Sequence, residues 1–111
     1  MIKLAFLVKR VESMTHEQFV EYHREHHAPL FASIPEAGRY VRKYTVSHPV
    51  PAPHYPGPEF DGLTEIWFDG WDDHNAFFES ANYRNLVQPD EPMFIRRGAG
   101  TMLVTEERLV M

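Results

Sequence analysis

The apolar residues of this chain switch between two spacings, and the order of the switches constrains the fold more than any other feature. In IKLAFLVKR, residues 2–10, Ile2, Leu4, Phe6 and Val8 alternate with Lys3, Ala5, Leu7 and Lys9, which is the period of a strand. Both sides are substantially apolar, as suits a central strand. MTHEQF, residues 14–19, then carries a helix start: Thr15 can cap, Gln18 completes a capping box, and Met14 can staple onto Phe19. A helix begins at His16. Pro29 disfavours helical geometry at Ala28, so the spacing predicts an end near His27, after about three turns.

GRYVRKYTVSH, 38–48, reads as a second strand, with Tyr40, Arg42, Tyr44 and Val46 on one side. The proline-dense HPVPAPHYPGPEF, 48–60, reads as an extended loop. DGLTEIWFD is a third strand, with Leu63, Glu65 and Trp67 on one face and Thr64, Ile66 and Phe68 on the other. A second helix starts near Asp72, whose carboxylate can cap it, and GTMLVTEERLV supplies the last strand. The order β-α-β-β-α-β predicts one α+β domain over 1–111: a ferredoxin-like, four-stranded antiparallel sheet with both helices on one face. The other face, carrying Leu7 and Trp67, is then left bare, and pairing it with a second copy is the common remedy. A homodimer is expected.

Composition narrows the chemistry. With no cysteine, disulfides, thiolate ligands and cysteine nucleophiles are excluded, leaving His, Asp, Glu, Tyr and Ser/Thr. A formal net charge of -5 offers no basic stripe for a phosphate backbone, so nucleic acid is not an expected partner. No apolar run approaches the ~20 residues that span a bilayer, and the first residues lack a signal-peptide pattern, so a cytoplasmic protein with no membrane partner is expected. Aromatic residues make up 14% of the chain, enough to line an apolar pocket as well as a core.

The chemistry-bearing stretch is HREHH, residues 23–27. At about 100° per residue, Phe19, His23 and His26 share a stripe with Tyr22 beside it, while Glu17, Glu21, Arg24 and Glu25 lie opposite. This arrangement turns His23 and His26 toward the sheet and leaves His16 and His27 at the boundary. His23 and His27 are one turn apart and could share an ion, yet the stretch lacks the glutamate of the H-E-x-x-H signature and no third ligand is fixed by spacing. No metal is expected. Partly buried, hydrogen-bonded histidines are the structural alternative; the chemical one is acid/base work, since imidazole titrates near neutrality. His26, with Tyr22 one turn away as an aromatic wall, is the candidate base, and Glu65 its candidate partner if a cavity desolvates that carboxylate. His23, Tyr44 and Trp67 complete a candidate substrate-binding set, although packing alone would also account for Tyr44. Asp61 and the acidic PDEP, 89–92, read as turn residues, the latter anchored by Met93 and Phe94.

The helix MTHEQFVEYHREHHAPL, then GRYVRKYTV, DGLTEIWFD and DEPMFI before a last strand, resembles the EthD-like domains over nearly the whole chain, with HAPL at His27–Leu30 as the most recognisable local feature. The resemblance implies a dimeric α/β barrel acting on small, largely apolar cyclic compounds. LVKRVESMTHEQF is also similar to the methylmuconolactone methylisomerases, cofactor-free enzymes in which a helix histidine and a strand cysteine are implicated. These positions fall on His26 and on Ile66, so the thiol is missing and the same lactone rearrangement is not implied. The expectation is a cofactor-independent isomerase, cyclase or dehydratase working by proton transfer. A cofactor-free monooxygenase of aromatics and a non-catalytic binding dimer are the alternatives.

Overall fold

The computed structural model describes all of residues 1–111. Four strands, β1 (Ile2–Val8), β2 (Val41–Ser47), β3 (Gly62–Phe68) and β4 (Thr101–Thr105), form one antiparallel sheet in the order β2-β3-β1-β4. This is the expected ferredoxin-like arrangement. Ile2, Leu4 and Phe6 of β1, with Ile66 and Phe68 of β3, face the helices. The main core joins Leu4, Ile66 and Phe68 to Phe31, Ile34, Phe77, Tyr83 and Val87. A smaller cluster of Val8, Phe19 and Phe94 closes one end, with Met14 packed against it as the staple.

The first helix, α1 (His16–Tyr22), begins as predicted, with Thr15 and Gln18 forming both hydrogen bonds of the capping box. Its end is different. The helical path does not stop before Pro29; it widens into a π-helical turn, His23–His27, and continues as α2 (Ala28–Ser33). Ala28 stays helical (φ -63°, ψ -44°) because the wider turn sends its amide five residues back to the His23 carbonyl. In a regular helix the Pro29 ring would meet a carbonyl four residues back, and the widened turn relieves that crowding.

Two other boundaries move. Residues expected to open the second strand form a short helix, α3 (Pro35–Tyr40), whose first turn accepts Pro35 without losing a bond. An irregularity between Val41 and Lys43 then pairs Val41 with Phe68 and Tyr44 with Ile66, which puts Val41 on Tyr44's side of the sheet and breaks the simple alternation. The helix α4 (Trp71–Glu79) is preceded by Gly70 and has no side-chain cap; Asp72 sits inside its first turn, where it complements the helix dipole instead. A second π-helical turn, Tyr83–Val87, and a 3₁₀ turn, Gln88–Met93, follow. No helix is long and apolar enough to cross a membrane.

Candidate active site

Between the sheet and the helical layer lies a cavity of about 450 Å³. Phe6, Tyr44, Thr64, Ile66 and Met102 form its floor. His23, His27 and Phe31 come from the first helical run, and Tyr83, Glu91, Arg96 and Arg97 come from the far side. Its size suits a small molecule.

The widened turn decides which histidine reaches it. Phe19, His23, His27 and Phe31 are 0%, 1%, 6% and 4% exposed, a buried row that repeats every four residues. A uniform α-helix would rotate this row off the sheet and bring His26 in. The extra residue of the π turn removes that rotation, so His27 takes the inward position and His26 swings out. The His26 side chain is 57% exposed, rests on the Tyr22 ring (centroids 4.7 Å apart) and brings Nε2 to 3.3 Å from Asp90 Oδ1.

His27 donates from Nδ1 to Asp90 Oδ2 at 2.9 Å, which leaves Nε2 as the ring nitrogen available to the cavity. Burial pushes its pKa below the ordinary value, outweighing the pull of Asp90 in the other direction, so the ring is neutral at neutral pH. Burial also opposes the Asp90 charge, but hydrogen bonds from Tyr22 and His27 prevail and hold that carboxyl below the usual range. Burial and the bond to Asp90 raise the Tyr22 phenol to about 12. This His–Asp pair orients the imidazole and can stabilise an imidazolium once a proton arrives.

His23 lies deeper, with Nδ1 3.0 Å from Nε2 of His48 and Nε2 3.4 Å from the Thr64 hydroxyl. Burial, with His48 and His27 nearby, drives its pKa down to about 3, so it is a neutral polar wall. On the far side Tyr83 donates to Glu91 at 3.1 Å, and burial pushes the Glu91 carboxyl up despite that bond and Arg97. The Tyr44 ring stacks on Phe31 (centroids 4.1 Å apart, planes 18° apart), and its buried hydroxyl has no protein partner.

His23 and Tyr44, read from the sequence as substrate-binding, thus line the cavity together. Tyr22 backs it through Asp90. His26 and Glu65 are not brought together: Glu65 pairs with Lys3 at 2.9 Å on the sheet face away from the helices. Trp67 shares that face, held between the Lys3 and Lys43 ammonium groups at 5.4 Å and 4.7 Å from its ring. It lies on the sheet face away from the helices, only 6% exposed because the flanking side chains cover it, so it is neither bare as expected nor a cavity wall. The acidic turn is not a solvated one either, because Asp90 and Glu91 both point inward to partners. Phe94 anchors it as expected, whereas Met93 is exposed. Asp61 is a buried brace, accepting from the Arg10 amide and guanidinium and from His16. No three His, Asp or Glu side chains converge as a metal set.

Comparison with known proteins agrees with this architecture. The fold matches an ethyl tert-butyl ether D (EthD) family protein from Bacillus halodurans C-125 at 23% identity and a TM-score of 0.74, over 97% of this chain and 99% of that one. It matches an EthD-like protein from Ralstonia eutropha JMP134 at 18% identity and 0.68, over 99% and 94%. A dimeric ferredoxin-like protein of unknown function from Bacteroides fragilis NCTC 9343 matches at 14% identity and 0.68, over 96% and 95%. No curated protein matches the sequence. Residues 11–98, which hold the capped helix, both widened turns and the acidic turn, match the EthD domain, and the chain belongs to that family.

Proposed function

We propose that this protein is a cofactor-independent enzyme that removes a proton beside the carbonyl of a small cyclic substrate, with His27 as the base. The observation that carries the reading is the buried His27–Asp90 pair at a cavity. Nδ1 is committed to the carboxylate, and the lowered pKa keeps Nε2 free of a proton at neutral pH. The C–H electron pair moves to form an enolate, its negative charge settles on the carbonyl oxygen, and the proton goes to Nε2. Return of the proton to another carbon completes an isomerisation; collapse of the enolate with expulsion of a hydroxyl on the neighbouring carbon, which takes the proton from Nε2 and leaves as water, completes a dehydration. An apolar, desolvated cavity strengthens each polar contact to the developing oxyanion. Phe6, Phe31 and Ile66 supply the apolar part of that wall, with Met102 at its exposed rim.

The same reading includes a homodimer. The Bacteroides fragilis neighbour is described as dimeric, and here the sheet face turned away from the helices carries Ala5, Leu7, Leu63 and Leu103. Burying such a face contributes ~25 cal/mol per Å² before association costs.

The test is proton exchange in D₂O, followed by NMR over a panel of small cyclic ketones and lactones. Exchange beside the carbonyl should be accelerated by the native protein and lost in His27→Gln. Exchange that survives His27→Gln would overturn the assignment. Oxygen uptake with a dihydroxyaromatic would assign the base to a cofactor-free oxygenation instead.

A further inference from the structure

Among the side chains around the cavity, one polar atom is buried without a partner: the Tyr44 hydroxyl. Leaving a buried donor unmade is costly, and native folds rarely keep one without use. The ring cannot turn away to solvent. It is stacked flat on Phe31, and β2 pairs Tyr44 directly with Ile66 in the cavity floor. Its nearest acidic neighbour is already engaged, since Glu91 accepts from Tyr83. Burial and the Glu91 charge both keep the phenol protonated, so it keeps a hydrogen to donate. Phe31, beneath it, lies one helical turn beyond His27 on the same buried row, which sets the Tyr44 and His27 side chains on two walls of one cavity.

We infer that Tyr44 donates a hydrogen bond to the substrate's carbonyl oxygen, and that the cavity therefore selects a flat cyclic or aryl ketone, or a lactone, over a hydrocarbon of the same shape. The inference rests on the proposed proton transfer, because a donor at that oxygen is what stabilises the enolate as it forms. A site built to bond one oxygen rejects the analogue that lacks it, since binding the analogue leaves the donor unmade.

The experiment uses two probes of similar shape, 4-fluoroacetophenone and 4-fluoroethylbenzene, with binding to the intact protein read by ¹⁹F NMR. The native protein should prefer the ketone, and Tyr44→Phe should reduce that preference about tenfold while leaving hydrocarbon binding unchanged. In the absence of probe, Tyr44→Phe should melt no lower than the native protein, because it removes an unsatisfied hydroxyl. An unchanged preference in Tyr44→Phe, binding of neither probe at millimolar concentration, or a clear drop in melting temperature would each overturn the inference. His27→Gln separates this result from the base assignment. It should abolish exchange of the ketone's methyl hydrogens in D₂O yet keep the preference for the ketone.

Discussion

Nδ1 of His27 lies 2.9 Å from Oδ2 of Asp90, a contact between residues 63 apart in sequence. It ties the widened first helix to the acidic turn, and both ends of the contact are nearly buried. His27→Gln should therefore lower turnover by ~10²-fold or more, the typical contribution of a positioned general base. Asp90→Asn should also lower it, since the amide can hold the ring in the opposite tautomer. The rate should rise with pH through a value below the ordinary histidine pKa and stay flat at neutral pH and above, because burial lowers the His27 pKa. A pH–rate profile with its midpoint above 6.5 would contradict this.

His26→Ala and Glu65→Gln are the matched controls. One side chain stands mostly in solvent and the other pairs with Lys3 on the far face of the sheet. Both variants should keep turnover within a few-fold of native. A hundredfold loss in either would return the chemistry to that residue.

His23 sets an acid limit on stability. Its pKa falls from 6.5 unfolded to about 3 folded, so between those values the unfolded chain binds the extra proton. Stability is full above pH 6.5 and is lost as pH falls toward 3, at about 2 kcal/mol by pH 5. The lowered carboxyls, Asp61 and Asp90, contribute only at lower pH, below their ordinary value of 3.8. Urea midpoints from pH 8 to pH 4.5 should therefore fall for the native protein and fall less steeply for His23→Asn.

Leu103 on β4 is 58% exposed in the single chain and lies on the bare sheet face. Light scattering should give twice the 13.0 kDa monomer mass, and Leu103→Glu should shift the population toward monomer. A native monomer at micromolar concentration would rule out the assembly.

The fold was legible in the sequence because each signal was local: alternation in β1 and β3, and Thr15 with Gln18 at the start of α1. The boundaries that moved were those where a local rule met a tertiary one. Pro29 is a stop signal in an α-helix and not after a π turn. The inward row of the first helix was legible to within one residue, whereas Glu65 and Trp67 lie on the opposite face of the sheet. An even helical wheel selects His26, whereas the spacing Phe19, His23, His27, Phe31 was present in the chain as a strict four-residue row, the one available sign of a widened turn. Asp90 and Glu91 carried no such sign, because nothing within PDEP reveals that Tyr22, His27 and Tyr83 wait for them across the fold.

Each widened turn is followed, after a single residue, by a proline, Pro29 after His23–His27 and Pro89 after Tyr83–Val87. At the entry to these prolines, Ala28 and Gln88 each bond to a carbonyl five residues back. If either segment slipped by one residue into ordinary α pairing, its proline would offer no amide hydrogen and its ring would strike the carbonyl four back. The two prolines thus act as one-way pawls. They hold the helices in the wider winding against slippage, and the walls of the cavity keep their outline without relying on whatever fills it.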